Sequence, residues 1–116
     1  MNLIDALSEL CHEVNRAYCE AHGDLTHKPW ADTDTELRVS VAKGVTSLLT
    51  SDLTPEQLHS LWAEERTRQG WKYGAFKDVE NKLHPNLVPY DQLPGEQKVK
   101  DYLFRAVVRT IQRQVG

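Results

Sequence analysis

The sequence predicts a mainly α fold of α+β type: four amphipathic helices with a small two-stranded element near residues 71–73 and 87–90. Three observations predict it. Apolar residues recur at three- and four-residue steps over four separate stretches, the period of a helix with one buried face. Gly23, Pro55, Gly70 and Pro94 punctuate those stretches, as residues that stop a helix or open the next one. The segment Gly70–Pro94 carries no helical stripe across its full length and holds three of the five prolines. At 116 residues the chain is read as one domain, 1–116, with room for a modest core.

The first helix is placed at residues 3 to 22, with Leu3, Leu7, Leu10, Val14, Ala17, Tyr18 and Ala21 on its apolar side. Glu9, Glu13, Arg16 and Glu20 form the opposite, solvent side, and Gly23 stops the helix. Cys11 and Cys19 fall two turns apart in it, roughly 12 Å, which is beyond disulfide reach. Both read as packed, reduced thiols. A loop follows from His22 to Asp34. Lys28 precedes a proline and is pushed toward extended geometry. Trp30 either plugs the core from outside or offers a contact surface, and the energetics of burying a large aromatic favour the plug.

Thr33-Asp-Thr-Glu36 fits a capping box, opening a second helix that buries Leu37, Val41, Val45, Leu48 and Leu49 and ends near Thr50. Gly44 lies close to that face and is read as letting another backbone approach. Leu53-Thr54-Pro55-Glu56-Gln57-Leu58 is the strongest local signal in the chain: cap, proline at the first helical position, box and hydrophobic staple together. The third helix turns Leu58, Leu61 and Trp62 inward and Glu64, Glu65, Arg66 and Arg68 outward. Trp71 to Tyr73 alternates as a short strand, and Phe76 to Leu83 suits one or two helical turns. Leu87–Tyr90 reads as a second extended piece, which Pro89 confines to an edge, pairing with the first as a ribbon. Pro94 opens the last helix, whose buried arc is Val99, Leu103, Phe104, Val107, Val108 and Ile111.

Composition bounds the function. The chain is 40% hydrophobic and 27% charged, with net charge −3, so no overall basic field draws in nucleic acid. No apolar run reaches membrane-spanning length, and the start lacks a signal-peptide pattern, so a cytoplasmic location is expected. Five histidines are present without a His-Glu-X-X-His or Cys-X-X-Cys pattern, and Cys11 and His12 diverge by about 100° on a helix. No metal, cofactor or acid–base constellation is predicted, and the chain is not expected to be an enzyme. Arg105, Arg109 and Arg113 read as a solvated face in preference to a phosphate track.

The segment after the third helix is where ligand chemistry concentrates. Trp71 and Tyr73 supply flat surfaces, and Lys72, Lys77 and Lys82 supply cations. Stacking a base on an aromatic is worth roughly 1–3 kcal/mol. The competing reading makes Trp71 and Tyr73 core residues and the lysines solvated. In it, Lys77 with Asp78 is an exposed pair worth roughly 0–1 kcal/mol. Tyr90 reads as core, and Trp30, Trp71 and Tyr90 are the anchors available to a protein interface.

The run Gly70-Trp71-Lys72-Tyr73-Gly74, then Lys77-Asp78, Lys82, His84-Pro85, Leu87-Val88-Pro89-Tyr90, Leu93-Pro94 and Glu96 resembles the ryanodine-receptor repeat, the RyR domain. Cys11-His12-Glu13, Asn15-Arg16-Ala17-Tyr18-Cys19 and Pro29-Trp30 look like the helix and loop that precede it in the stand-alone bacterial and phage versions. Pro89-Tyr90-Asp91 departs from the channel repeat, which leaves the prokaryotic type the closer match. The resemblance implies a compact, mostly helical, non-enzymatic unit that recovers the paired arrangement of the channel repeats as a homodimer. It also implies a nucleotide-derived small ligand, with Trp71 as stacking platform and Tyr73, Lys77, Asp78, Lys82 and His84 as polar neighbours.

Overall fold

The computed structural model describes residues 2–115. Four helices form the frame: α1 (Leu3–Ala21), α2 (Thr35–Thr50), α3 (Pro55–Arg68) and α4 (Gly95–Val115). Two short strands, β1 (Lys72–Tyr73) and β2 (Leu83–His84), lie between α3 and α4. Single 3-10 turns occupy Trp30–Asp32 and Tyr90–Gln92. The mainly helical architecture with a small two-stranded element is thus the predicted one. No helix is long and apolar enough to cross a membrane among the described residues.

Leu7, Cys11, Val45, Leu48, Leu58 and Val108 make the core where the helices meet. The ring of Phe104 rests on Gly44, where an added Cβ would come within 3.1 Å of it, so what approaches that glycine is a side chain of α4 and not the expected backbone. The buried face of α1 differs from the expected one. Leu3, Leu10, Ala17 and Ala21 are exposed, while Leu7, Ser8, Cys11, His12 and Cys19 are buried. The reason is local satisfaction of polar groups: Ser8 donates to the Ile4 carbonyl (2.7 Å) and His12 Nε2 to the Lys28 carbonyl (2.7 Å), so both are buried without loss. Burial carries the Cys11 thiol up to about 12, which makes it an inert packing group.

The caps hold with one change. Thr54 and Gln57 form the predicted reciprocal box on α3. At α2 the capping residue is Asp34, which accepts from the Leu37 amide (2.8 Å). Thr33 is instead taken up by the preceding turn, donating to the Trp30 carbonyl (2.7 Å) and accepting from Arg38 Nε (3.0 Å). Gly70 ends α3 at φ +93, the left-handed conformation expected of it.

The ribbon pairs differently. β1 runs parallel to β2, with Lys72 opposite Leu83 and Tyr73 opposite His84, so the second strand lies upstream of Leu87–Tyr90. Pro89 begins the 3-10 turn at Tyr90 instead. No helix forms between Phe76 and Leu83: Asp78 accepts from the Asn81 amide (3.1 Å) and side chain (2.8 Å), which closes a tight turn. That turn leaves Phe76 85% and Val79 64% exposed. Lys82 takes φ 54 to swing the chain back, and Gly74 is obligatory, because a Cβ there would meet Leu83 Cβ at 2.7 Å. Folding the segment back on itself is what carries Lys77, Lys82 and His84 to the open side of α3.

Candidate functional site: a cationic, aromatic cleft

The returning segment and all four helices bound a cleft of about 920 Å³. Small-molecule sites occupy roughly 300–1,000 Å³, so this one has room for a sizeable ligand. Trp71 lies half-buried at the start of the segment, with the Arg66 guanidinium 5.5 Å from its ring. His84 bridges two indoles, its ring 6.0 Å from that of Trp71 and 5.0 Å from that of Trp62, edge-on in the second case.

The electrostatics of this corner are unusual. Arg66, Lys77, Lys82 and Lys100 all line the cleft, and among the described residues none has a carboxylate within 4.0 Å. Arg66 donates to Gln69 Oε1 (2.9 Å), Lys82 to the Gln69 carbonyl (2.6 Å), and Lys77 makes a long contact to Thr26 Oγ1 (3.5 Å). Burial, followed by the charges of Lys77, Lys100 and Arg66, pushes His84 down to about 3, so its ring is neutral. Burial and Lys77 do the same to His27, at about 4, against the pull of Asp24. Lys77 and Arg66 are themselves lowered by burial, against the pull of Asp24 on Lys77 and of Asp34, Glu36 and Glu65 on Arg66. Asp101 on α4, also lining the cleft, is raised to about 7 by burial, with only Lys100 opposing. Glu65 differs from these groups, since Lys43 (3.1 Å) and Arg68 (2.9 Å) both pair with it.

Four of the six ligand residues read from sequence line the cleft: Trp71, Lys77, Lys82 and His84. Tyr73 is 59% exposed on β1 and lies outside it, and Asp78 is committed to the turn with Asn81. Of the interface aromatics, Trp71 lines the cleft and neither Trp30 nor Tyr90 does. Trp30 is half-buried between His12 (5.5 Å) and the Arg38 guanidinium (5.3 Å). Tyr90 packs beside His59 (5.9 Å) with Lys98 Nζ over its ring at 5.3 Å.

Sequence reasoning missed Trp62, His27, Lys100 and Asp101, and it turned Glu65 and Arg66 outward, whereas both line the cleft. A signal was present for two of them. Lys100 precedes Leu103 and Phe104 by three and four residues, and Arg66 follows Trp62 by four, so both interrupt an apolar stripe. Cys19, Asp24 and His27 bring one potential metal-donor atom each within 4.8 Å. Their contacts are already satisfied by an Asp24–His27 pair (3.4 Å) and by Thr26, whose hydroxyl (2.6 Å) and amide (3.0 Å) bond Asp24. The positive charge of Lys77 acts on the same group.

Fold and site together define a small helical domain in which the segment between α3 and α4 folds back over a charged, aromatic cleft. The sequence model of the RyR domain matches residues 34–114, and the chain belongs to that family. The matched span omits α1 and the loop after it, yet those supply Cys11, His12 and His27 to the cleft wall.

Proposed function

We propose that this chain is a non-enzymatic recognition module, a stand-alone RyR domain of the bacterial and phage type, that binds a small nucleotide-like ligand in the cleft. It works in the cytoplasm as a homodimer. The observation that carries the reading is the grouping of Arg66, Lys77 and Lys100 without carboxylate partners around His84 and the half-buried Trp71. A protein that gathers like charges in a partly dry site loses stability unless something anionic joins them. An aromatic surface worth roughly 1–3 kcal/mol per stacked base stands beside those cations. That combination suits a phosphorylated, ring-bearing small molecule. A long nucleic-acid strand is disfavoured, because Arg105 and Arg109 are engaged elsewhere, by Leu53 and Ser51 carbonyls and Asp52.

Titration calorimetry against adenine nucleotides and cyclic nucleotides tests the reading. Saturable heat from at least one of them, lost in Trp71→Ala, is expected; no heat from folded protein sinks it. Sedimentation equilibrium checks the dimer. A second reading, docking of a protein partner, is favoured by the exposed side chains of Tyr73, Phe76 and Val79 on one turn. It predicts a hetero-complex that Phe76→Ser disrupts and Trp71→Ala leaves intact.

A further inference from the structure

The histidines divide into two kinds. His12 and His59 each contact a backbone carbonyl through Nε2, of Lys28 (2.7 Å) and Val88 (2.8 Å). His22 Nδ1 contacts the Tyr18 carbonyl (3.0 Å), and His27 Nε2 faces the Asp24 carboxylate (3.4 Å). These rings hold the fold together. His84 is engaged the other way round: its Nδ1 accepts from the Asn86 amide at 3.1 Å. A ring nitrogen that accepts carries no hydrogen, so the proton of the neutral ring sits on Nε2.

That Nε2–H has no protein acceptor among the described residues. It is not sealed in either. Among the described residues, Arg16 Nε is the only enclosed side-chain nitrogen or oxygen without a hydrogen-bond partner. The unpartnered Nε2 of His84 is therefore not enclosed, and His84 lines the cleft. Lys100 Nζ likewise has no hydrogen-bond partner among the described residues and is not enclosed, and Lys100 also lines the cleft. A donor of fixed tautomer, in a cleft also lined by cations from three different elements that act electrostatically on it, suits a tetrahedral oxyanion.

We propose that His84 is the specificity-determining donor of this cleft: a neutral imidazole that gives its Nε2–H to a phosphoryl oxygen held among Lys77, Lys100 and Arg66. The proposal rests on the small-ligand reading above and names its chemistry, a phosphate monoester or diphosphate whose charged end lies at His84. Neutrality matters. A fourth cation would add repulsion to the empty site, whereas an N–H dipole adds a directed bond without it. The charged and titratable groups around His84 are Lys77 on the turn, Arg66 on α3, His27 on the loop after α1, and Lys100 on α4. Asp101, also on α4, lines the same cleft.

The test uses the full chain with ¹⁵N-labelled histidine, and inorganic phosphate and pyrophosphate as probes. Long-range ¹H–¹⁵N spectra of the free protein at neutral pH are expected to show His84 as the Nε2–H tautomer. Pyrophosphate is expected to shift Nε2 of His84 saturably, leaving His12 and His59 in place. His84→Gln, which retains a donor near the Nε2 position, keeps most of the affinity, and His84→Phe loses about tenfold, the usual effect of a hydrogen bond to a charged group. Because His84 stays neutral, the ratio of wild-type to His84→Gln affinity stays flat between about pH 5 and 8, and any effect of Asp101 cancels from it. A ratio that climbs toward acid, an unmoved Nε2 at saturation, or equal affinity in Gln and Phe variants overturns the proposal. The wild-type spectrum decides the matter even where a variant fails to fold. ADP and adenosine separate the two readings. Pyrophosphate that shifts His84, with ADP binding no tighter, supports the subsite and removes the nucleotide. ADP that binds with Nε2 unmoved does the reverse.

Discussion

Arg109 and Lys100 stand on the same helix and face opposite circumstances. Arg109 reaches the C-terminal end of α2, where its guanidinium donates to the carbonyls of Leu48 and Ser51 and meets Asp52 (3.2 Å) and Gln112 (2.9 Å). Arg105 does the same a turn earlier, at the Leu53 carbonyl (2.8 Å) and Asp52 (3.1 Å). Orphan carbonyls at a helix C-terminus carry partial negative charge, so Arg109 caps α2, and Arg105 is spent on the turn just beyond it. Lys100 has no carboxylate or carbonyl partner among the described residues and shares its cleft with Lys77 and Arg66. Identical charge therefore serves two ends. A satisfied cation belongs to the frame; an unsatisfied one, gathered with others in a concave site, is available to a ligand.

The largest effect expected from this contrast falls on the frame. Arg109→Met keeps the aliphatic stem but strands the Leu48 carbonyl, and is expected to cost about 2–3 kcal/mol of stability. Urea denaturation monitored by tryptophan fluorescence reads it. A loss under about 0.5 kcal/mol, the usual range of an inconsequential surface change, would erase the distinction.

Asp101 sharpens the comparison from the other side, as a cleft group that the fold bears at a cost. Its folded value of about 7 lies well above the ordinary carboxyl value of about 3.9. Between those values the folded chain holds a proton that the unfolded chain has released, so this group lowers stability as pH rises from about 4 to 7. Asp101→Asn is expected to gain roughly 1–2 kcal/mol at pH 8 and nothing at about pH 3. His27 and His84, held at about 4 and 3, act with opposite sign. The unfolded chain takes up their protons as pH falls below about 6.5, while the folded chain does not until those lower values, so stability falls toward acid. Unfolding midpoints of wild type and Asp101→Asn across that range separate the two contributions.

A smaller effect belongs to the frame alone. Thr54→Ala removes the oxygen that accepts from the Gln57 amide (3.2 Å), at an expected cost of about 1 kcal/mol by the same denaturation, with the cleft unchanged. That cap was legible from sequence because every part of it is local. The helical frame was legible for a related reason, since its period is written in consecutive residues. What periodicity cannot register is polar burial. Ser8 and His12 escaped notice on α1 because their partners, Ile4 and Lys28 carbonyls, make burial free of penalty. Trp71, Lys77, Lys82 and His84 were legible as chemistry, but their company was not. Arg66 and Lys100 come from two helices, and only the back-folding at Gly74 and Lys82 brings the segment to them. The strand at Leu83–His84 was hidden likewise, being set by a turn that Asp78 closes with Asn81.

Lys100→Met makes the smallest change in stability and the most pointed one. The lysine gives up no hydrogen bond among the described residues; its charge opposes that of Lys77 and the protonation of His27, and it favours the ionised form of Asp101. Removing it relieves the repulsion, forfeits the attraction to Asp101 and leaves a side chain of similar length, so stability is expected to stay within about 0.5 kcal/mol of wild type. Pyrophosphate affinity is expected to fall about tenfold in the same protein, since a charge-assisted contact has gone. Binding thus falls at Lys100 while stability holds, whereas Arg109→Met lowers stability and leaves the pyrophosphate affinity of the folded fraction untouched. Calorimetry and denaturation on the two variants place each cation on one side of the division. A Lys100→Met protein that is clearly less stable would mean that the lysine has a structural partner after all, and that the cleft is part of the frame.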